Sequence, residues 1–528
     1  MAVPRRFLVR LNPFPLLAAL AIAIPLAAQQ PLPEPPTLTA AQVRTTPFVI
    51  KPGTTTINGY SMTSNLYNNS FTPPTIRIKP GDSLDLRVVN QMVPPTALKA
   101  GQQPPAGAAS ILAEPPSRWS LLGVETLART EQIRHSMAMK MEVPSYYTNV
   151  HYHGFGVTPL NNSDNVFITI VPNQPEFRYH VPLPADHPPG LFWYHPHPHE
   201  ISEPQLLGGM SGAIIVDGIE DLRPELRNLR QRVMLLKDPI MVKDGKQTQL
   251  FTINGTSGTA TIDIRPGERQ FWRIGDVGAD SYFPLTLGGL PFLVYAIDGN
   301  LLQTPTAMTR LDLYPGSRYE VVVTGPPAGT RVTLRKERVV FYRSGTTEFD
   351  NPMVNLATLV SGGTADKAAP MMKAAGGATR PDIEEIRRGT VARRCTWTFS
   401  EKADFSEYYV NNKVYDVNRI DTQVKLGTYE EWTIRNDSPE IHAFHLHQTD
   451  FLVTAIDGKP VHMNHTNDVV NIPLKDTVVH SITVKIPWIN PIIVGKFVFH
   501  CHVLLHEDRG MMANVVVANQ SLPNSACQ

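Results

Sequence analysis

Three stretches decide the fold: Arg77–Asn90, RIKPGDSLDLRVVN; Asp263–Asp276, DIRPGERQFWRIGD; and Gln423–Asn436, QVKLGTYEEWTIRN. Each has a glycine at its fifth position, Gly81, Gly267 and Gly427. Each reads as a strand, a glycine turn and a second strand with alternating apolar residues. The copies start at 77, 263 and 423, a spacing that gives one β-sandwich domain to each copy. A second repeat agrees: PFLVYAIDGN at Pro291–Asn300 matches DFLVTAIDGK at Asp450–Lys459. The expected fold is all-β, with domains over 40–218, 225–362 and 385–528. A small-residue linker, 361–380, follows the second domain, and a Pro/Ala/Gly-rich insertion, about 91–147, interrupts the first.

Composition narrows the function. Among 528 residues, 48 Lys+Arg balance 47 Asp+Glu, for a formal charge of +1. That leaves no electrostatic case for nucleic acid or an anionic membrane surface. The 48 prolines and 35 glycines are a high turn content, which favours β over helical architecture. At the N-terminus, Arg5, Arg6 and Arg10 precede the apolar run Pro13–Ala28, PFPLLAALAIAIPLAA. This is short for a membrane span and reads as a signal peptide over 1–28. Export to the periplasm or outside the cell is expected, by the general or the twin-arginine route, with no membrane span after signal removal. Of three cysteines, Cys395 and Cys527 form either a disulfide pinning the tail or two free thiols.

The third cysteine, Cys501, lies in FVFHCHVLLHEDRGMM, Phe497–Met512. Histidines cluster with it. VHYHG holds His151 and His153; FWYHPHPHE holds His195 and His197; HAFHLHQ holds His442, His445 and His447; HCHVLLHEDRGM holds His500, His502 and His506. Residues two apart on a strand share a face, so each H-x-H offers two imidazoles to one side. Four such pairs converging would build a multi-copper cage; imidazole suits copper and zinc alike. The second domain is an internal control. Superposing the AIDG repeats sets His442, His445 and His447 on Phe283, Thr286 and Gly288, so packing alone does not require histidine there. Cys501 points opposite to its two neighbours. With His442 and His506 it makes a His₂Cys set, and Met511 is a candidate weak axial ligand, which is a blue-copper ligand set. Zinc has no redox chemistry and gains nothing from this wiring.

These four motifs, in this order, resemble those of the multicopper oxidases, a family of three consecutive cupredoxin-like Greek-key β-sandwich domains that includes laccases, bilirubin oxidases and cuprous oxidases. The resemblance implies four coppers per chain. Type 1 would take His442, Cys501, His506 and Met511. Type 2 would take His151 and His445, and the type 3 pair His153, His195, His197, His447, His500 and His502. The second domain would hold no copper ligand. The resemblance also gives Asp164 as the carboxylate beside type 2 copper and Glu507 as proton donor on the type 3 side. Two departures stand out: the family usually has HPxHLHG, whereas this chain has Ala443 and Gln448 in HAFHLHQ. His199, third in HPHPH, reads as a bystander or as a group behind the ligands.

The implied activity is copper-dependent oxidation of a reducing substrate with dioxygen as acceptor, by a monomer. A laccase-like phenol oxidase is the first reading. The alternative is a cuprous oxidase for copper tolerance, disfavoured because Met371-Met372 and the group Met137, Met139 and Met141 are meagre beside a long methionine-rich segment. Electrons are expected to enter through an exposed edge of His442. A copper nitrite reductase would need fewer H-x-H pairs, and a non-enzymatic relative of the fold would not need every ligand position filled.

Overall fold

The computed structural model describes residues 29–93, 146–366, 383–519 and 527. The signal segment, the insertion with its three methionines, and Met371-Met372 fall outside the described residues.

Each repeat is an arch between two facing sheets. In the first, Thr75–Ile78 lies in one sheet and Arg87–Asn90 in the other; in the second, Ala260–Ile264 and Arg269–Asp276 divide in the same way; in the third, Thr422–Lys425 and Thr428–Asn436 do. The turn glycines have φ of +83°, +75° and +84°, a left-handed conformation that glycine takes without steric cost. The tenth residue of each copy, Leu86, Trp272 or Trp432, is fully buried. Each arch therefore inserts one large side chain between its sheets, as the alternation requires.

The chain is all-β, three cupredoxin-like sandwiches in series, each with its own apolar core. The sandwiches exchange edges. Gln30–Pro31 joins a sheet of the second, and the hairpin Ile240–Lys243 with Lys246–Gln249 extends a sheet of the first through Val242 and Ser61. Among the described residues, no helix is long and apolar enough to cross a membrane.

In the first sandwich a five-stranded sheet ends with Gly190–His195 beside His151–His153; in the third, His442–Leu446 lies between Val469–Ile472 and Gly495–Cys501. The superposition behind the internal control holds in the strands: Phe283–Leu287 and His442–Leu446 occupy matching places before Phe292–Ile297 and Leu452–Ile456.

Cys395, on the strand Val391–Glu401, is disulfide-bonded to Cys527. Of the alternatives open for these two cysteines, the bond is the one present. It closes a sequence separation of 132 residues, which restricts the unfolded chain. Replacing both cysteines by serine is expected to cost about 2–4 kcal/mol, read as a lower denaturant midpoint. An unchanged midpoint would mean the tail contributes nothing to stability.

Candidate metal centre

Strand pairing brings the histidines together. In the first sandwich His151 sits opposite His195, and His153 opposite Trp193. In the third His445 sits opposite His500, and Phe444 opposite Cys501. The two H-x-H pairs then meet across the domain boundary. His151 stacks on His447 with ring centroids 4.0 Å apart, and His153 on His445 at 3.9 Å.

Among the described residues four groups result, all buried: His151, His153 and His445; His153, His195 and His502; His197, His447 and His500; and His442, Cys501 and His506. Within each, the candidate donor atoms lie within 4.8 Å of one another. Nε2 of His500 is 3.1 Å from Nε2 of both His197 and His447, and His502 Nε2 is 3.1 Å from His153 Nδ1. In the fourth group the two Nδ1 atoms are 3.0 Å apart, and Cys501 Sγ is 3.5 Å from each. His500 and His502 thus belong to the clustered groups, while Cys501 between them belongs to the separate one. Met511 is buried in the core that contains Cys501; its backbone accepts from Cys501 N and donates to His506 O. His506 and Glu507 ride on the short helix Leu504–Asp508. His199 joins no group and lies edge-on to Tyr415.

The donor chemistry fits a cation. Burial, followed by the neighbouring imidazoles, holds His151, His195, His447, His500 and His502 well below the usual histidine range. Burial also takes His197 down to about 3 and His445 to about 4. These rings are neutral, so each has one bare lone pair. The partners fix which nitrogen that is. Nδ1 of His195, His445 and His500 donates to the carbonyl of Pro196, Asp468 and Cys501, and Nδ1 of His151 to Asp164 Oδ1. Nε2 of His151, His195 and His445 is left buried with no protein partner. Buried lone pairs aimed inward without donors are unfavourable unless a metal takes them. Burial likewise pushes the Cys501 thiol up, and coordination is what makes such a thiol a thiolate.

Carboxylates surround the rings. Asp164 Oδ1 is 2.9 Å from His151 Nδ1 and also accepts from Tyr152 N, while burial raises its carboxyl to about 7. Glu507 Oε2 is 3.2 Å from His500 Nδ1 and Oε1 is 3.5 Å from His197 Nδ1; burial, then Asp508, pushes Glu507 well up. Three further residues carried no motif. Glu440 Oε2 accepts from Tyr408 Oη at 2.7 Å and is 3.5 Å from His506 Nε2, while the Tyr408 ring stacks on His506. Asp468 accepts from His445 through its carbonyl, and its Oδ1 is 3.4 Å from His153 Nε2. Arg318, from the second sandwich, donates to both Asp468 oxygens at 2.7 Å. Gly316, two residues before it, packs so close that a Cβ there would come 2.9 Å from His153 Cε1. No sequence spacing announces Arg318 and Asp468, which are 150 residues apart; only assembly of the three sandwiches joins them.

One expectation is overturned. The His442 imidazole has no exposed edge: the residue is 0% exposed and its Nε2 is buried without a protein partner. The hairpin of Val339–Ser344 and Thr347–Asn351, from the second sandwich, crosses the chain just before it. Ile441 N donates to Phe341 O, Arg343 N donates to Pro439 O, and Phe341 packs into the same core. The sequence of the third domain holds no trace of this cover.

Three family models, each described as multicopper oxidase, match residues 136–221, 229–363 and 379–521. The chain is similar to a multicopper oxidase of Staphylococcus haemolyticus, 23% identical, over 70% of this chain and 77% of the relative. It is similar as well to the cell division protein FtsP of Yersinia pestis, 24% identical, over 63% of this chain and 71% of the relative. Among solved structures, a Campylobacter jejuni multicopper oxidase described as a metallo-oxidase superposes with a TM-score of 0.69 at 21% identity, covering 93% of this chain and 96% of that one.

The Arg318–Asp468 pair is fully buried. Arg318→Leu is expected to destabilise the protein by about 3–5 kcal/mol, because it leaves the Asp468 carboxylate buried and uncompensated. Thermal unfolding measures this; a loss below 1 kcal/mol would show that the junction is not held there.

Proposed function

This chain belongs to the multicopper oxidase family and is an oxidoreductase, and we propose that it couples one-electron oxidation of a phenol-type substrate to four-electron reduction of dioxygen to water. One observation carries the reading: Cys501 shares a group with His442 and His506, while its chain neighbours His500 and His502 sit in two other groups. That gives an electron leaving the thiolate a covalent route of one residue.

We assign type 1 copper to His442, Cys501 and His506 with Met511 alongside, type 2 to His151 and His445, and the type 3 pair to His153, His195, His197, His447, His500 and His502, four coppers in all. Bound copper would supply one-electron acceptance and the dioxygen chemistry. The chain supplies the rest. Asp164 orients His151 and holds a proton near neutrality; Glu507, whose carboxyl burial pushes well up, holds one beside His197 and His500. The basic and apolar N-terminal segment supports export.

The covered His442 supports the second reading, a cuprous oxidase. A bulky phenol cannot touch the imidazole in this conformation, whereas a small donor needs less displacement of the hairpin. The match to a cell division protein supports a non-redox role; four buried groups filled with donor side chains weigh against it.

Oxygen uptake by copper-loaded protein with a simple methoxyphenol tests the proposal. The parent is expected to be blue and to consume oxygen, and Cys501→Ser to do neither. A blue parent that consumes oxygen with Cu(I) but not with the phenol would replace the first reading by the second. Asp164→Asn and Glu507→Gln are each expected to slow oxygen consumption by about 10²-fold or more while leaving the blue band intact. Unchanged turnover would remove the proton role.

A further inference from the structure

The residue after His151-x-His153, after His445-x-His447 and at the counterpart of the latter in the second sandwich turns through the left-handed region: Gly154 at φ +84°, Gln448 at +66° and Gly289 at +85°. Two of these are glycines, for which that conformation is free of Cβ crowding. Only the third sandwich places a long side chain there, and a residue with a Cβ persists in that region only when its surroundings hold it.

The surroundings are specific. Gln448 is 4% exposed, and its Nε2 donates to Asp164 Oδ2 at 2.7 Å, across the boundary between the third and first sandwiches. Asp164 Oδ1 is already committed to His151 Nδ1 and Tyr152 N. The amide thus completes the hydrogen bonding of the Asp164 carboxyl group.

The other aspartate at the cluster shows the same requirement met differently. Gly154 occupies the matching turn of the first sandwich, where a Cβ would come 2.6 Å from Asp468 Oδ2 and 2.5 Å from Arg318 Nη2. The Arg318 guanidinium already bonds both Asp468 oxygens. At Asp468 the turn must be bare to admit arginine; at Asp164 the turn itself provides the donor.

We propose that Gln448 is a positioning residue, which clamps Asp164 across the domain boundary and thereby fixes the ring of His151 for type 2 copper. The clamp rests on the copper assignment above, and it explains why a side chain is tolerated in a glycine conformation.

The test compares copper-loaded parent with Gln448→Gly and Gln448→Glu, the first favouring the backbone conformation and the second keeping the size but setting carboxylate against carboxylate. The readouts are the type 2 paramagnetic resonance signal, copper retained through dialysis against a chelator, and the blue band. Gln448→Gly is expected to lose type 2 copper about tenfold faster than parent with the blue band unchanged, and Gln448→Glu to lose it faster still. In an Asp164→Asn background, Gln448→Gly should add no further loss, since both act through one carboxylate. A Gln448→Gly protein that keeps type 2 copper as the parent does, with an equal or higher melting temperature, would overturn the clamp and mark Gln448 as a tolerated strain. A parent with no type 2 signal would instead overturn the copper assignment. If Gln448→Glu fails to fold, the glycine variant decides alone.

Discussion

Ten imidazoles and a thiol, all out of water, gather into four close groups. Nothing intrinsic holds such a set together, since neutral rings with converging lone pairs gain little from contact and lose their hydration. Most of the rings are anchored from behind, and the anchors come from all three sandwiches. Asp164 and the Pro196 carbonyl act from the first, Arg318 through Asp468 from the second, and Glu507, Glu440 and the Cys501 carbonyl from the third. The relative placement of the sandwiches is therefore as much a property of the site as the rings are.

This gives the second sandwich its purpose. Its strands carry no histidine at the positions that matter in the third. Yet its Arg318 is bidentate on the aspartate that meets both His153 and His445, its Gly316 packs on His153, and its hairpin of Val339–Ser344 and Thr347–Asn351 covers the approach to His442. Among the described residues the second sandwich adds no side chain to the four groups, and it acts as a brace on one side and a cover on the other.

How much of this the sequence shows follows from the range of each interaction. The arches at 77, 263 and 423 are local, so period-2 alternation and one glycine expose the sandwich and its repetition. The H-x-H pairs are local too, and the opposed faces of His500, Cys501 and His502 are legible in three letters. The anchors are not. Arg318 and Asp468, or Gln448 and Asp164, meet only when separate sandwiches dock, and neither pair belongs to a spacing pattern. Gln448 was visible as an irregular letter in HAFHLHQ, but what it replaces a glycine for depends on a carboxylate 284 residues away. The expected open edge of His442 failed for the same reason, since its cover comes from another domain.

If the chain is the oxidase proposed above, charge must reach so dry a site by separate routes for electrons and protons. The chain separates them. Cys501 lies between His500 and His502 on one strand end, so the electron route is covalent and needs no water. The acids flank the other sides: Asp164 behind His151, where Gln448 steadies it, and Glu507 behind His197 and His500. Burial raises both carboxyls, so each keeps a proton at a pH where an exposed carboxylate has lost it. On the function proposed above, the protons that dioxygen reduction would consume are held by these two buried acids, each beside different rings of the cluster.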